Sequence, residues 1–199
     1  MTDASPSPAL AGVQAIARAY ADGQPAAAFQ AIDDYARLHL AHALCTVNRY
    51  DADAMRVVRL YSSNPQAYPP GGSKDKTGTA WGRHVLLEQR VFVGEGEAAI
   101  REFFNDHDAI RSLGLQSVIN VPVAYDGVCL GTVNFLMPRP AVSDDDIHAA
   151  RVAGLEVSPA TDGRVPSVRL PAQQGAPAPG APERLAGLVL DLRQEGMQE

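Results

Sequence analysis

The chain has 199 residues, a formal net charge of −6, 46% hydrophobic residues and only two cysteines. That length suits one domain of about 150 residues with an appendage, and the apolar share is ample for a core. The acidic balance argues against a broad nucleic-acid or anionic-membrane surface, and no apolar run approaches the ~20 residues of a membrane span.

Two helices are predicted at residues 8–22 and 25–42. Gly23 stops the first, and Pro25 suits a helix start, where its missing N–H costs nothing. Phe29, Ile32, Tyr35, Ala36 and Leu40 recur at the helical period. Strands follow at 44–50 and 55–63, joined by the acidic turn Asp51-Ala52-Asp53. Residues 64–76 carry Pro65, Tyr68, Pro69, Pro70, Gly71 and Gly72. They read as a loop near the length at which a structureless loop is functional or disordered. A short helix at 79–89, a short strand at 91–93 and a mostly helical stretch at 95–113 come next.

The clearest local signal is the run from Leu113 to Leu136. It holds two strands, 117–124 and 129–136, joined at Asp126-Gly127, a dipeptide that supplies the positive φ of a tight hairpin cheaply. Its apolar residues are nearly continuous, so both faces of the sheet should be covered. A last helix, 143–155, has Ser143 as N-cap and Asp144, Asp145 and Asp146 at its positive end. The domain is taken as residues 1–157. Residues 158–180, with Pro159, Pro166, Pro171, Pro177 and Pro179, form a Pro/Ala/Gly-rich linker. Residues 181–199 contain a short amphipathic helix with Leu185, Leu188, Val189 and Leu192 on one face, which needs a surface to pack on.

Asn120 and Asn134 interrupt the apolar hairpin. A buried amide needs partners, and a cavity holding a polar ligand is one way to provide them; bonding to loop backbone is the other. In perfect register the two amides point to opposite faces. Pro122 cannot donate to the ladder and marks a bulge, and one extra residue returns them to the same face. Trp81 beside Gly82 suits a stacking contact or a core anchor. His84 falls on the same helix face. Tyr61 and Ser63 end a strand at the mouth of the long loop, where ligand contacts arise but turn formers also sit.

Catalytic motifs are absent: no Gly-x-Ser-x-Gly, Walker loop or Gly-x-Gly-x-x-Gly follows a strand. His39 and His42 have no metal-ligand spacing, and no His/Cys/carboxylate cluster is evident along the chain. The sequence names no cofactor.

The order helix-helix-strand-strand-helix-strand-helix-hairpin-helix, with Leu113-Gly114 leading into the hairpin, Pro122, Asp126-Gly127 and Leu130-Gly131-Thr132, resembles a GAF domain over residues 10–155. The resemblance implies an α+β fold related to PAS: a central antiparallel sheet with helices on both faces. The mid-chain helices and long loop would enclose a pocket on one face, the one to which Asn120 and Asn134 are assigned. It also implies pairing through terminal helices into a homodimer. The signatures of cyclic-nucleotide and bilin-binding members are missing. The free methionine-sulfoxide reductases of this family need reachable cysteines, whereas Cys45 and Cys129 lie in strands and serve as small reduced hydrophobes.

Two functions are therefore expected to compete. One is a stand-alone regulatory protein binding a small polar, neutral or zwitterionic metabolite, with its output through a homodimer or a partner at the C-terminal helix. The other is a small redox or hydrolytic enzyme using the same pocket. The start, Met-Thr-Asp-Ala-Ser-Pro, lacks a signal peptide's basic and apolar regions, so a cytoplasmic location is expected.

Overall fold

The computed structural model describes residues 8–22 and 25–157; the predicted linker at 158–180 and helix at 181–199 lie outside the described residues. In chain order, helices α1 (Pro8–Asp22) and α2 (Ala26–Leu40) precede strands β1 (Leu44–Asp51), β2 (Arg56–Ser62) and β3 (Ser73–Asp75). A π-helix at Gly82–Leu87, strand β4 (Phe92–Glu95), and helices α3 (Gly96–Phe103) and α4 (His107–Ser112) follow. The hairpin strands β5 (Ser117–Tyr125) and β6 (Val128–Met137) and helix α5 (Asp144–Val157) complete the described elements. The strands pair antiparallel in one six-stranded sheet, in the order β3-β2-β1-β6-β5-β4.

Alternation along the strands assigns each residue to one of two layers. Val47, Ile119, Val133 and Phe135 face α1, α2 and α5, where Phe29 and Ile32 of α2 close a fully buried core. Leu44, Val57, Val118 and Leu136 face the other way, toward the π-helix, α3 and α4. Both faces of the central strands are covered, which explains the continuous apolar run through β5 and β6.

The ends of these elements follow from local chemistry. Ala41 takes a left-handed conformation (φ 46°) that stops α2 and turns the chain into β1. Asp126 (φ 50°) and Gly127 (φ 72°) make the two-residue turn expected between β5 and β6. Ser143 Oγ accepts the Asp146 N–H at 3.2 Å while Asp146 Oδ2 accepts the Ser143 N–H at 2.8 Å, a reciprocal cap on α5.

Three expectations change. Residues 64–76 are not structureless: Ser73–Asp75 pairs with β2 as an edge strand, Val57 opposite Lys74. The short helix expected at 79–89 is a π-helix over Gly82–Leu87, with Glu88 N–H bonding back to Arg83 O at 2.9 Å. The helical stretch at 95–113 is broken where Phe104 is extended (φ −125°, ψ 116°). The break lets Phe103 and Phe104 both pack edge-on against Phe92, with ring centroids 4.9 and 5.9 Å away.

Candidate functional site

Asn120 and Asn134 are direct cross-strand partners, so their side chains leave the same face of the sheet. The extra residue that aligns them is Leu130 of β6: Val123 pairs with Gly131 and Ala124 with Cys129, leaving Leu130 unopposed. Pro122 itself stays in register opposite Thr132. The bulge expected at Pro122 thus sits one pair away, on the partner strand.

The amides belong to a buried relay. The Trp81 indole N–H donates to Asn120 Oδ1 at 2.8 Å, and Asn120 Nδ2 donates to Asn134 Oδ1 at 2.8 Å. Asn134 Nδ2 then donates to Thr46 Oγ1 at 3.0 Å and Thr46 O at 3.3 Å. All four residues are buried, where a satisfied polar chain fixes orientation strongly. Trp81 is brought in by Gly82, since a Cβ there would lie 2.6 Å from Lys76 O and 2.8 Å from Thr79 Oγ1. Only glycine allows that approach.

The relay forms one wall of a cavity of about 70 Å³, completed by Arg59, Tyr68, Lys76 and Asp106 among others. That is room for a few waters or a small organic molecule. A larger cleft of about 290 Å³ runs along α3 and α4 past Glu97, His107 and Arg111. Its charges satisfy one another at the exposed surface, Arg111 reaching Glu97 at 3.3 Å and Asp108 at 3.1 Å. The smaller cavity is the one built from buried polar groups.

Its charged groups were not among the residues singled out from sequence. Lys74 Nζ lies 2.6 Å from Asp106 Oδ1. Burial would raise the Asp106 carboxyl, but the hydrogen bond and charge of Lys74 outweigh it and hold it below the usual carboxylate range. The Lys76 ammonium sits over the Trp81 ring, 4.4 Å from its centroid, and the Arg59 guanidinium over Tyr68 at 4.9 Å. Arg59 Nη1 also donates to Pro69 O at 3.0 Å. The alternation Lys74-x-Lys76 in a Gly/Pro-rich segment was the available signal, because two lysines at a strand's period share a face.

Three sequence candidates do not reach this cavity. Leu60 is a bulged residue, since Val47 pairs with Tyr61 and Asn48 with Arg59. The bulge reverses parity, so Tyr61 leaves Arg59's face and its hydroxyl donates to Asp33 Oδ2 at 2.8 Å beside α2. Ser63 extends the ladder: its N–H donates to Cys45 O at 2.9 Å and its Oγ accepts the Cys45 N–H at 2.9 Å. His84 lies 3.0 Å from Val91 O and packs edge-on against Phe92, a contact between the π-helix and the approach to β4.

On the face covered by α1, α2 and α5, Asp33, His42 and Cys45 offer ligand atoms all within 4.8 Å of one another, a cluster their linear spacing concealed. Asp33 is already engaged: Arg37 Nη2 donates to both its oxygens at 3.2 Å, and His42 Nε2 lies 2.6 Å from Oδ1. Burial pushes the Cys45 thiol well up, and likewise raises Cys129, which lies in the cavity-side cluster across the sheet. Both cysteines are free and buried on opposite faces, so they do not meet as a disulfide pair. We predict that neither thiol reacts with an aromatic disulfide reagent while the domain is folded, and that both react on denaturation. Rapid native labelling of Cys129 would reveal an accessible nucleophile on the cavity side of the sheet.

The six-stranded curled antiparallel sheet with helices layered on both faces defines an α+β domain. The GAF domain model matches residues 9–160, and the chain belongs to that family. No curated protein matches it in sequence. It is similar in fold to the GAF domain of an Acinetobacter phosphoenolpyruvate-protein phosphotransferase, with TM-score 0.60 and 13% identity, covering 79% of this chain and 94% of that one. The GAF domain of a two-component sensor histidine kinase from Bacillus halodurans gives TM-score 0.56 at 10% identity, covering 67% and 90%. The chromophore-binding domain of a bacteriophytochrome from R. palustris gives 0.57 at 12% identity, covering 75% of this chain and 58% of that one. Among the described residues no helix is long and apolar enough to cross a membrane.

Proposed function

We propose that this GAF domain is a sensor that binds a small polar metabolite in the cavity beside Trp81, Asn120 and Asn134 and signals through a second copy or a partner protein. The observation that carries it is the Trp81–Asn120–Asn134–Thr46 relay forming a cavity wall. Polar groups in the core cost free energy unless satisfied, and a few of them set among apolar residues such as Leu44, Val57 and Leu136 make the usual composition of a binding pocket. Association is supported by Leu38 of α2 and Leu155 of α5, 69% and 65% exposed on helices that pack together. A redox enzyme in the same cavity has less support, because neither thiol is exposed or activated.

Native mass spectrometry of protein purified from its host tests the proposal. A retained small molecule, released on unfolding, whose removal from the folded protein shifts the Trp81 emission, is the expected result. Host-purified protein carrying no added mass, with Trp81 fluorescence indifferent to host metabolite extract, would overturn it.

A further inference from the structure

We propose that the ligand of this cavity is a small oxyanion, a carboxylate or phosphate, held between Arg59 and Lys76 beside Trp81; this rests on the cavity being the sensory site. The charge inventory of the wall points that way. Lys74 takes up Asp106 at 2.6 Å, whereas Arg59 and Lys76 lie against the faces of Tyr68 and Trp81. An aromatic face steadies a cation without neutralising it. Two cations facing a cavity, in a chain of net charge −6, are a local field opposite in sign to that of the whole chain.

The hydrogen-bonding inventory agrees. Asn120 Oδ1, Asn134 Oδ1 and the Asn134 nitrogen are engaged within the relay. Arg59 Nε and the Tyr68 hydroxyl are buried without a hydrogen-bond partner, as is Asp106 Oδ1 apart from its ion pair with Lys74. With the Lys76 ammonium, Arg59 and Tyr68 offer donors to a ligand in the cavity. Asn48, whose nitrogen donates to Thr132 Oγ1 at 3.2 Å, also lines this cavity. The neutral or zwitterionic ligand expected from the amides alone gives way to an anion.

Trp81 is the sole tryptophan, so its emission reports this site alone. The full chain is titrated at constant ionic strength with lactate, with inorganic phosphate, and with lactamide, the uncharged amide of lactate. Lactate or phosphate should move the Trp81 emission at a concentration at least about tenfold below that of lactamide, the scale of a charge-assisted hydrogen bond. Whichever of the two responds identifies the oxyanion. Lys76→Met and Arg59→Gln should each erase that preference with the circular dichroism unchanged. Arg59→Lys, which keeps the charge should the Pro69 contact loosen, should retain part of it.

Acidity supplies a further readout. Burial first, then the like charge of Lys74, push the Lys76 ammonium down to about 8 despite Asp106. The ionisable groups around it on the wall are Arg59 of β2, Tyr68 beyond that strand, Lys74 of β3 and Asp106 ahead of α4. Lactate affinity should fall as pH rises through about 8, and Lys76→Met should flatten that profile. Equal binding of lactate and lactamide overturns the oxyanion and leaves the cavity as the site. Silence of Trp81 toward all three probes, with no retained mass from the host, overturns both.

Discussion

Asp33→Ala should destabilise the domain by several kcal/mol, since it takes the acceptor from both the buried His42 ring and the Tyr61 hydroxyl and each buried polar group so stranded costs about 1–3 kcal/mol. Asp33 and His42 have side chains 1% and 0% exposed and lie 2.6 Å apart. Asp33 also accepts from Tyr61 and pairs with Arg37, so one carboxylate ties α2 to the approach to β1 and to β2. His42 Nδ1 is already buried without a partner. Removing Asp33 would strand the second ring nitrogen as well. Burial raises the Asp33 carboxyl, but the bonds from His42 and Tyr61 and the charges of His42 and Arg37 outweigh it and leave it below the ordinary value. Its folded pKa being depressed, its contribution is full above an unfolded value of about 4 and is lost as pH falls through the lowered folded value. Urea melts across that acid range should show a steeper loss in the wild type than in Asp33→Asn. A mutant within about 1 kcal/mol of wild type would show that the cluster is not a brace.

The overall fold was legible in the sequence because its signals are local. Asp126-Gly127 marks its own turn, Ser143 its own cap, and the apolar periods of α2, β5 and β6 their own faces. What was hidden depends on pairing across the sheet. The bulge at Leu60 turns Tyr61 away from Arg59, and nothing in Arg-Leu-Tyr announces it. Asp33, His42 and Cys45 converge only because α2 ends at Ala41 and turns back onto β1. At the site, the two amides were visible as polar interruptions in an apolar run. Arg59, Lys74, Lys76 and Asp106 looked like ordinary solvated charges until the edge strand β3 and the break before α4 carried them to one wall.

Asn134→Leu should destabilise the domain by several kcal/mol, because it removes the middle of the relay and leaves two side-chain polar groups behind. Asn120 Nδ2 loses its acceptor and Thr46 Oγ1 loses its donor. Each buried orphan costs about 1–3 kcal/mol, and Leu has the branching of Asn with bulkier methyl ends, so the effect contains no cavity formation. Asn120→Leu strands the Trp81 indole N–H and Asn134 Oδ1 in the same way. The double mutant should be less destabilised than the sum of the two by at least about 1 kcal/mol, since a pair of apolar residues leaves no broken bond between them. Trp81 emission should shift strongly in Asn120→Leu, where its N–H partner is lost, and weakly in Asn134→Leu. Additive losses with an unmoved emission would mean the amides act separately. These substitutions therefore weaken the fold together with any binding, so lost retention in them would not locate a ligand. Arg59 and Lys76 touch the cavity without holding the sheet together, and they are the residues at which binding and stability come apart.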